Sequence, residues 1–380
     1  MGYLFSPWNL PIWGASLFAW FSPYLTTILA TVVVLGVLIF VHEFGHFFIA
    51  KLLGVRVEVF SLGFPPKLLS RKVGETEYRL SVVPLGGYVR LLGENPHDEV
   101  PAELIPRSFL HRPLWQRTAI VLAGPAFNFF FAVLALFAVF SLSGLPYLTT
   151  EVGRVLEGSP AERAKLQKGD VILSVDGVPV QRWDDLAREI RERGGQPVNL
   201  TLRRADQVLQ VRLVPEKREA VNVFGQKVQA FQIGVASAER LALKPLGTLE
   251  ALAEGFRYSL KIAALTLQSI YKLIVREIPV ETLGGPIMIA QVAGRQAEMG
   301  FSYLIQFMAV LSVNLTLLNL LPVPILDGGH LVFFLLEAIR GKPLALKHRE
   351  LAQAVGMMLI LTLMLLVFYH DLMRLFGTRQ

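Results

Sequence analysis

Residues 25–53 form an apolar run long enough to cross a bilayer, and its C-terminal half contains His42-Glu43-Phe44-Gly45-His46. A lipid-embedded segment must satisfy its own backbone polar groups, so this run has to be helical. On a helix His42 and His46, four apart, stack on one face one turn from each other and can reach a single metal ion. Glu43 sits beside them, placed to take a proton from water instead of binding the metal. An ionisable group at membrane depth costs roughly 2.5 kcal/mol or more, so the setting favours chemistry over chance. The competing reading is a buried polar cluster that ties helices together.

With 380 residues, 53% hydrophobic and a mean hydropathy of +0.49, the chain has room for several membrane helices and one small soluble domain. The net charge of +7 comes from basic residues beside apolar runs, where they meet lipid headgroups; nucleic acid is not an expected partner. There are no cysteines, so a transition metal must be held by histidine and carboxylate.

Four spans are expected: 25–53, 118–145, one starting near Tyr303 and broken at Pro322-Val323-Pro324, and one over 352–369. Residues 51–117 hold ten Lys or Arg and residues 1–50 hold none, which puts that first loop in the cytosol. Alternation then places 146–300 and both termini outside, and turns His42 and His46 toward the cytosolic side. Residues 1–24 are uncharged and rich in Trp, Phe and Pro. They read as an interfacial aromatic segment and not as a cleaved signal peptide, which would carry a basic start.

The membrane domain thus divides into 25–145 and 301–380. In its first loop, 55–61 and 77–83 alternate like strands, and Gly86-Gly87-Tyr88-Val89 follows a turn-prone Pro84. Its low polarity suggests a hairpin that dips into the membrane and lines a cavity. An edge strand there, at Gly86, Gly87 and Tyr88, can receive an extended peptide. Residues 151–215 read as a compact α+β domain, with Ser159-Pro160 starting a helix, Asp176-Gly177 a tight turn and an amphipathic helix over 183–193. Residues 216–300 read as a linker, with a short strand pattern at 231–235 and an amphipathic helix over 249–275 lying on the membrane.

A catalytic zinc needs a third protein ligand and an open position. Asp327, in Leu326-Asp327-Gly328-Gly329-His330, is a candidate, and is equally well read as the N-cap of a new helix. Asn314 and Asn319, in an otherwise apolar stretch, fit either interhelical hydrogen bonds or contacts to a substrate carbonyl. His330 beside a helix start reads as a packing residue.

At these residues the chain resembles the bacterial site-2 proteases, intramembrane zinc metalloproteases. His42-Glu43-x-x-His46 fits the first family motif, and Asn314-x4-Asn319-x2-Pro322-x-Pro324-x2-Asp327-Gly328-Gly329 the second. Pro84 to Val89 resembles the membrane-reentrant β-loop, Ala123-Gly124-Pro125-x2-Asn128-Phe129 the second-span motif, and Gly285-Pro286-Ile287 an element before the third span. The stretch Gly63-Phe64-Pro65-Pro66 departs from the family pattern, Gly-Phe-Gly-Pro.

The resemblance implies a polytopic α-helical membrane protein with about four transmembrane helices, a membrane-reentrant β-hairpin loop and one extracytoplasmic PDZ domain at 151–215. It implies Zn2+ bound by His42, His46 and Asp327, Glu43 as general base, and substrate contacts at Asn314 and Asn319. It implies cleavage of pre-truncated single-span proteins in the bacterial inner membrane, typically anti-sigma factors, and of remnant signal peptides; with one PDZ domain the chain looks closer to the family's single-PDZ branch. The PDZ domain would bind a peptide or substrate C-terminus. The alternative is a non-enzymatic membrane PDZ adaptor whose polar cluster is structural.

Overall fold

The computed structural model describes residues 12–95, 97–222 and 224–377. Of the aromatic segment expected over 1–24, residues 1–11 lie outside the described residues; from Ile12 the backbone is helical and runs without a break into the first span. Four helices are long and apolar enough to cross a membrane: Tyr24–Leu52, Leu114–Ser143, Phe301–Asn319 and Leu346–Gly377. They fall where the hydropathy of the sequence puts them.

Helix α1 (Ile12–Leu52) carries the histidines and stops at Gly54, whose φ of 73° only glycine adopts cheaply. Strands β1 (Val57–Val73) and β2 (Thr76–Leu91) follow, joined by a two-residue turn with Gly74 at φ 61°. Their register is folded back on itself. Phe60 pairs with both Tyr78 and Val89, and Leu62 with both Leu80 and Gly87. The segment 59–62 is therefore flanked by two stretches of β2, and the backbone turns a corner between residues 81 and 86. Among the described residues Gly87–Leu91 pairs with β1 on one side only. Helix α2 (Leu114–Ser143) then crosses α1 closely: a Cβ on Gly45 would stand 2.4 Å from the Ala123 carbonyl oxygen.

Residues 140–251 form a second compact unit. Its elements are β3 (Leu145–Leu148), β4 (Val152–Val155), α3 (Pro160–Arg163), β5 (Val171–Val175), β6 (Val178–Pro179), α4 (Trp183–Glu192), β7 (Val198–Arg204), β8 (Gln207–Leu213), β9 (Glu216–Val221), β10 (Lys227–Gln232), β11 (Val235–Ser237) and β12 (Leu241–Lys244). Four strands make an antiparallel sheet in the order β6-β5-β7-β8, while β4 pairs with β11, β3 with β12 and β9 with β10. Ser159 caps α3 by accepting the Glu162 N–H at 3.2 Å, with Pro160 in the first turn. On β7 the residues Val198, Leu200 and Leu202 are fully buried and alternate with exposed or half-buried neighbours, facing Leu186 and Ile190 of α4. Strands β9 to β12 extend well beyond the short pattern legible at 231–235. Strand β9 alternates between half-buried and exposed, with charged residues along it, so the two-stranded ribbon β9–β10 lacks the apolar period that would mark it.

Asp170, almost wholly buried, is gripped by Arg204 through two bonds of 2.8 Å and accepts the Gln167 N–H at 2.8 Å. Burial raises the carboxyl's pKa, but the guanidinium and the N–H outweigh it and hold it below the ordinary value. The pair therefore contributes stability above pH about 4, the unfolded value, and loses it as pH falls through the lower folded value. In Arg204→Ala, hydrogen exchange across this unit should show about 2 kcal/mol less protection at neutral pH. Burial then dominates and the acid-side loss reverses sign, so the variant gains relative protection on acidification.

The chain returns through α5 (Thr248–Ile274), α6 (Pro286–Met299), α7 (Phe301–Asn319), α8 (Asp327–Arg340) and α9 (Leu346–Gly377). Helix α6 packs on α1, where Gly294 leaves room for Thr27 and Ala293 joins Ala30, Val34 and Leu38. Its first N–H groups, at Gly285, Ile287 and Met288, are accepted at 3.0–3.1 Å by the buried Asp371 of α9. Helix α7 is tied to α2 by Ser312 donating to the Asn128 carbonyl and Thr316 to that of Pro125. Helix α8 is tied to α2 by the buried Arg117–Glu337 pair, with Arg117 also lying over the Phe334 ring.

Candidate metal centre

Helix α7 ends at Asn319 because Pro322 and Pro324 cannot continue it, and α8 begins at Asp327. The link between them folds tightly over the new helix. A Cβ on Gly328 would lie 2.3 Å from the Leu321 carbonyl oxygen, and one on Gly329 2.3 Å from that of Val323. Both glycines are needed for this close approach, which delivers Asp327 to α1.

There Asp327 Oδ2 stands 3.2 Å from His42 Nε2 and 3.6 Å from His46 Nε2, and the two imidazole nitrogens are 3.2 Å apart. Tetrahedral coordination at about 2.0–2.1 Å separates ligand atoms by about 3.3–3.5 Å, so the three atoms fit the edges of one zinc tetrahedron. Among the described residues Asp327 Oδ2 is also buried without a hydrogen-bond partner, an orphaned acceptor that a cation would satisfy. Among the described residues this is the group of His and carboxylate ligands able to share one ion. His330, one turn further along α8, is outside it and packs edge-on to Phe333.

The imidazoles are oriented from behind by α2. His46 Nδ1 donates to the Ile120 carbonyl oxygen at 2.8 Å, which leaves Nε2 as the lone-pair nitrogen facing Asp327. Gly124 lies against both rings; a Cβ there would come within 2.2 Å of His46 Nε2 and 2.8 Å of His42 Cε1. Asn128, fully buried, brings its side-chain amide 3.3 Å from His42 Nδ1.

Glu43, next to His42 on α1, lies within electrostatic reach of all three ligands and borders β2. Its Cγ lies 3.3 Å from where a Gly87 Cβ would be, and its carboxylate is in reach of the Val89 N–H. Gly86 is buried under the Phe64 ring and Tyr88 accepts from Arg79 at 3.1 Å. Asn319 reaches the centre, its amide nitrogen 3.4 Å from both ring nitrogens of His42. Asn314 turns elsewhere: its carbonyl oxygen accepts from Thr266 of α5 at 2.7 Å, the interhelical bond that was one reading of its sequence context. Asn128 and Gly124 were visible as a motif without a role; the signal available was an amide and a glycine four apart in an uncharged span.

The model of peptidase family M50 matches residues 30–363. The chain belongs to that family, the site-2 proteases. This M50 peptidase is a multi-pass membrane protein. It is 37% identical over 363 residues to an Agrobacterium fabrum protein named as a zinc metalloprotease, covering 91% of this chain and 95% of the relative. A Vibrio cholerae protein named likewise is 31% identical, covering 91% of this chain and 98% of the relative, over 450 aligned positions. A solved PDZ domain of an SdrC-like protein from Listeria monocytogenes aligns with 24% of this M50 peptidase and 88% of its own length, at 22% identity and a TM-score of 0.19.

Proposed function

We propose that this M50 peptidase is a zinc endopeptidase that hydrolyses peptide bonds in the transmembrane segments of single-span proteins already shortened by another protease. The observation that carries this reading is the convergence of His42, His46 and Asp327 at tetrahedral spacing, with Glu43 beside an unpaired strand edge. Zinc held by these three side chains supplies Lewis-acid chemistry, lowering the pKa of water toward about 7 and polarising a carbonyl. Glu43 takes the proton of the attacking water and passes it to the leaving amine.

A helical substrate hides its carbonyls in its own hydrogen bonds, so it must be extended before attack. The edge Gly87–Leu91, reentrant into the membrane, adds the unwound stretch as a further strand and holds it alongside Glu43. Asn319 donates to the carbonyl under attack, and Asn314 supports α7 from the α5 side. The basic loop after α1 supports a cytosol-facing site in a bacterial inner membrane, with residues 146–300 and both termini outside.

Residues 151–215 serve as the body of a PDZ domain. A groove of about 340 Å³ runs between α4 and the 230–235 stretch, lined by Trp183, Ala187, Ile190, Ala230 and Phe231. It would take the C-terminus left by the first cleavage, as in anti-sigma factors, or the end of a remnant signal peptide.

The purified full chain in detergent should hold one zinc ion per molecule and cleave a single-span reporter, losing activity to a chelator and regaining it with zinc. Metal-independent cleavage sinks the proposal. Ala187→Arg, which fills the groove, should keep its zinc but lose the preference for a truncated over a full-length reporter. An unchanged preference refutes the role given to the groove.

A further inference from the structure

A histidine that binds a metal through Nε2 must carry its proton on Nδ1, and that N–H needs an acceptor. His46 has one in the Ile120 carbonyl. For His42 two amides are near. Asn319 is 3.4 Å from Nδ1 and Nε2 alike, so it lies beside the ring between them and along neither N–H direction. Asn128 meets Nδ1, at 3.3 Å. An amide nitrogen cannot accept from Nδ1–H, but a half-turn of the amide exchanges its nitrogen and oxygen in place. Among the described residues the Asn128 oxygen is otherwise buried with no partner, so the half-turn gives it one and gives His42 its acceptor.

We propose that Asn128 is the positioning residue for His42, accepting Nδ1–H and thereby fixing both the tautomer and the direction of Nε2. Resting on the zinc reading above, this makes α2 the orienting element of the whole centre. Ile120, Gly124 and Asn128 follow one another at intervals of four on one helix face. The first holds His46, the last holds His42, and the glycine between them clears space for both rings. The helix supplies no ligand itself. It orients the two ligands of α1 toward Asp327, while the Asn128 carbonyl separately accepts from Ser312 of α7.

Zinc affinity measured by competition with a chelating dye, on the full chain in detergent, tests this. Asn128→Leu should raise the zinc dissociation constant about 10–100-fold. Asn128→Asp, which keeps an acceptor in place, should stay within about threefold of the unaltered chain. With the reporter, Asn128→Leu should lose kcat at limiting zinc, recover it at saturating zinc, and keep KM throughout. Ser312→Ala, which breaks the neighbouring α2–α7 bond and leaves the amide alone, should keep its zinc affinity. If Asn128→Leu fails to fold, Asn128→Ala carries the same expectation without added bulk. Unchanged affinity in the Leu or Ala variant overturns the role of Asn128 alone, as does an Asp variant as weak as Leu. A chain that binds no zinc with Asn128 intact overturns the zinc reading and this proposal together.

Discussion

Glu43→Gln is expected to lower reporter cleavage by about 10²–10⁴-fold while leaving zinc content unchanged. The glutamine has the same shape and stays next to Gly87 and Val89, so neither the packing of α1 nor the strand edge should move. What it loses is the ability to accept a proton. Glu43 is not among the three side chains whose ligand atoms converge, so the metal should be retained. Cleavage and zinc stoichiometry, measured on one preparation, therefore separate two accounts of the polar cluster. If the cluster only ties helices together, as in a membrane adaptor, the glutamine can make the same contacts and nothing changes. Equal cleavage by both chains would refute Glu43 as the base.

Both halves of this centre could be read from the sequence because each is a local pattern. His42 and His46 share a helix face by their spacing, and the prolines before Asp327 mark a broken span. The same locality made Asp327 ambiguous. An aspartate that opens a helix is also a good cap, and only the fold brings it within 3.2 Å of His42. Long-range partners left weaker traces. Helix α6 was anticipated only as a Gly-Pro-Ile element, because what ends it at the N-terminal side is Asp371, some eighty residues on. Strand β9, which pairs with β10, carries charge at half-buried and exposed positions alike, so its alternation in burial leaves no apolar period in the sequence. Asn314 offered two roles, and its bond to Thr266 depends on α5 lying against α7, which no spacing within α7 reveals. The amide of Asn128 is legible as a costly residue in a lipid-depth helix, but its target is set by how α1 and α2 cross.

That crossing sets up the second large effect. Gly124→Ala should abolish zinc binding in a chain that still folds. The added methyl would lie 2.2 Å from His46 Nε2 and 2.5 Å from Cε1, and one of the two must move. The α2 backbone cannot, because Ala123 beside it is already in close contact with Gly45 of α1. The imidazole is the far end of a side chain and can swing aside, but doing so breaks its bond to the Ile120 carbonyl and turns Nε2 away from Asp327. Alanine is also the better helix former, by about 1 kcal/mol, so thermal stability in the metal-free state should hold or rise slightly. Zinc affinity should fall by at least about 100-fold, and cleavage should drop to background. Gly36, by contrast, has open space where a Cβ would go, so Gly36→Ala in the same span should leave zinc and activity intact. A Gly124→Ala chain that binds zinc as tightly as the unaltered one would mean that the rings are not confined by α2, and the orienting role of that helix would fall with it.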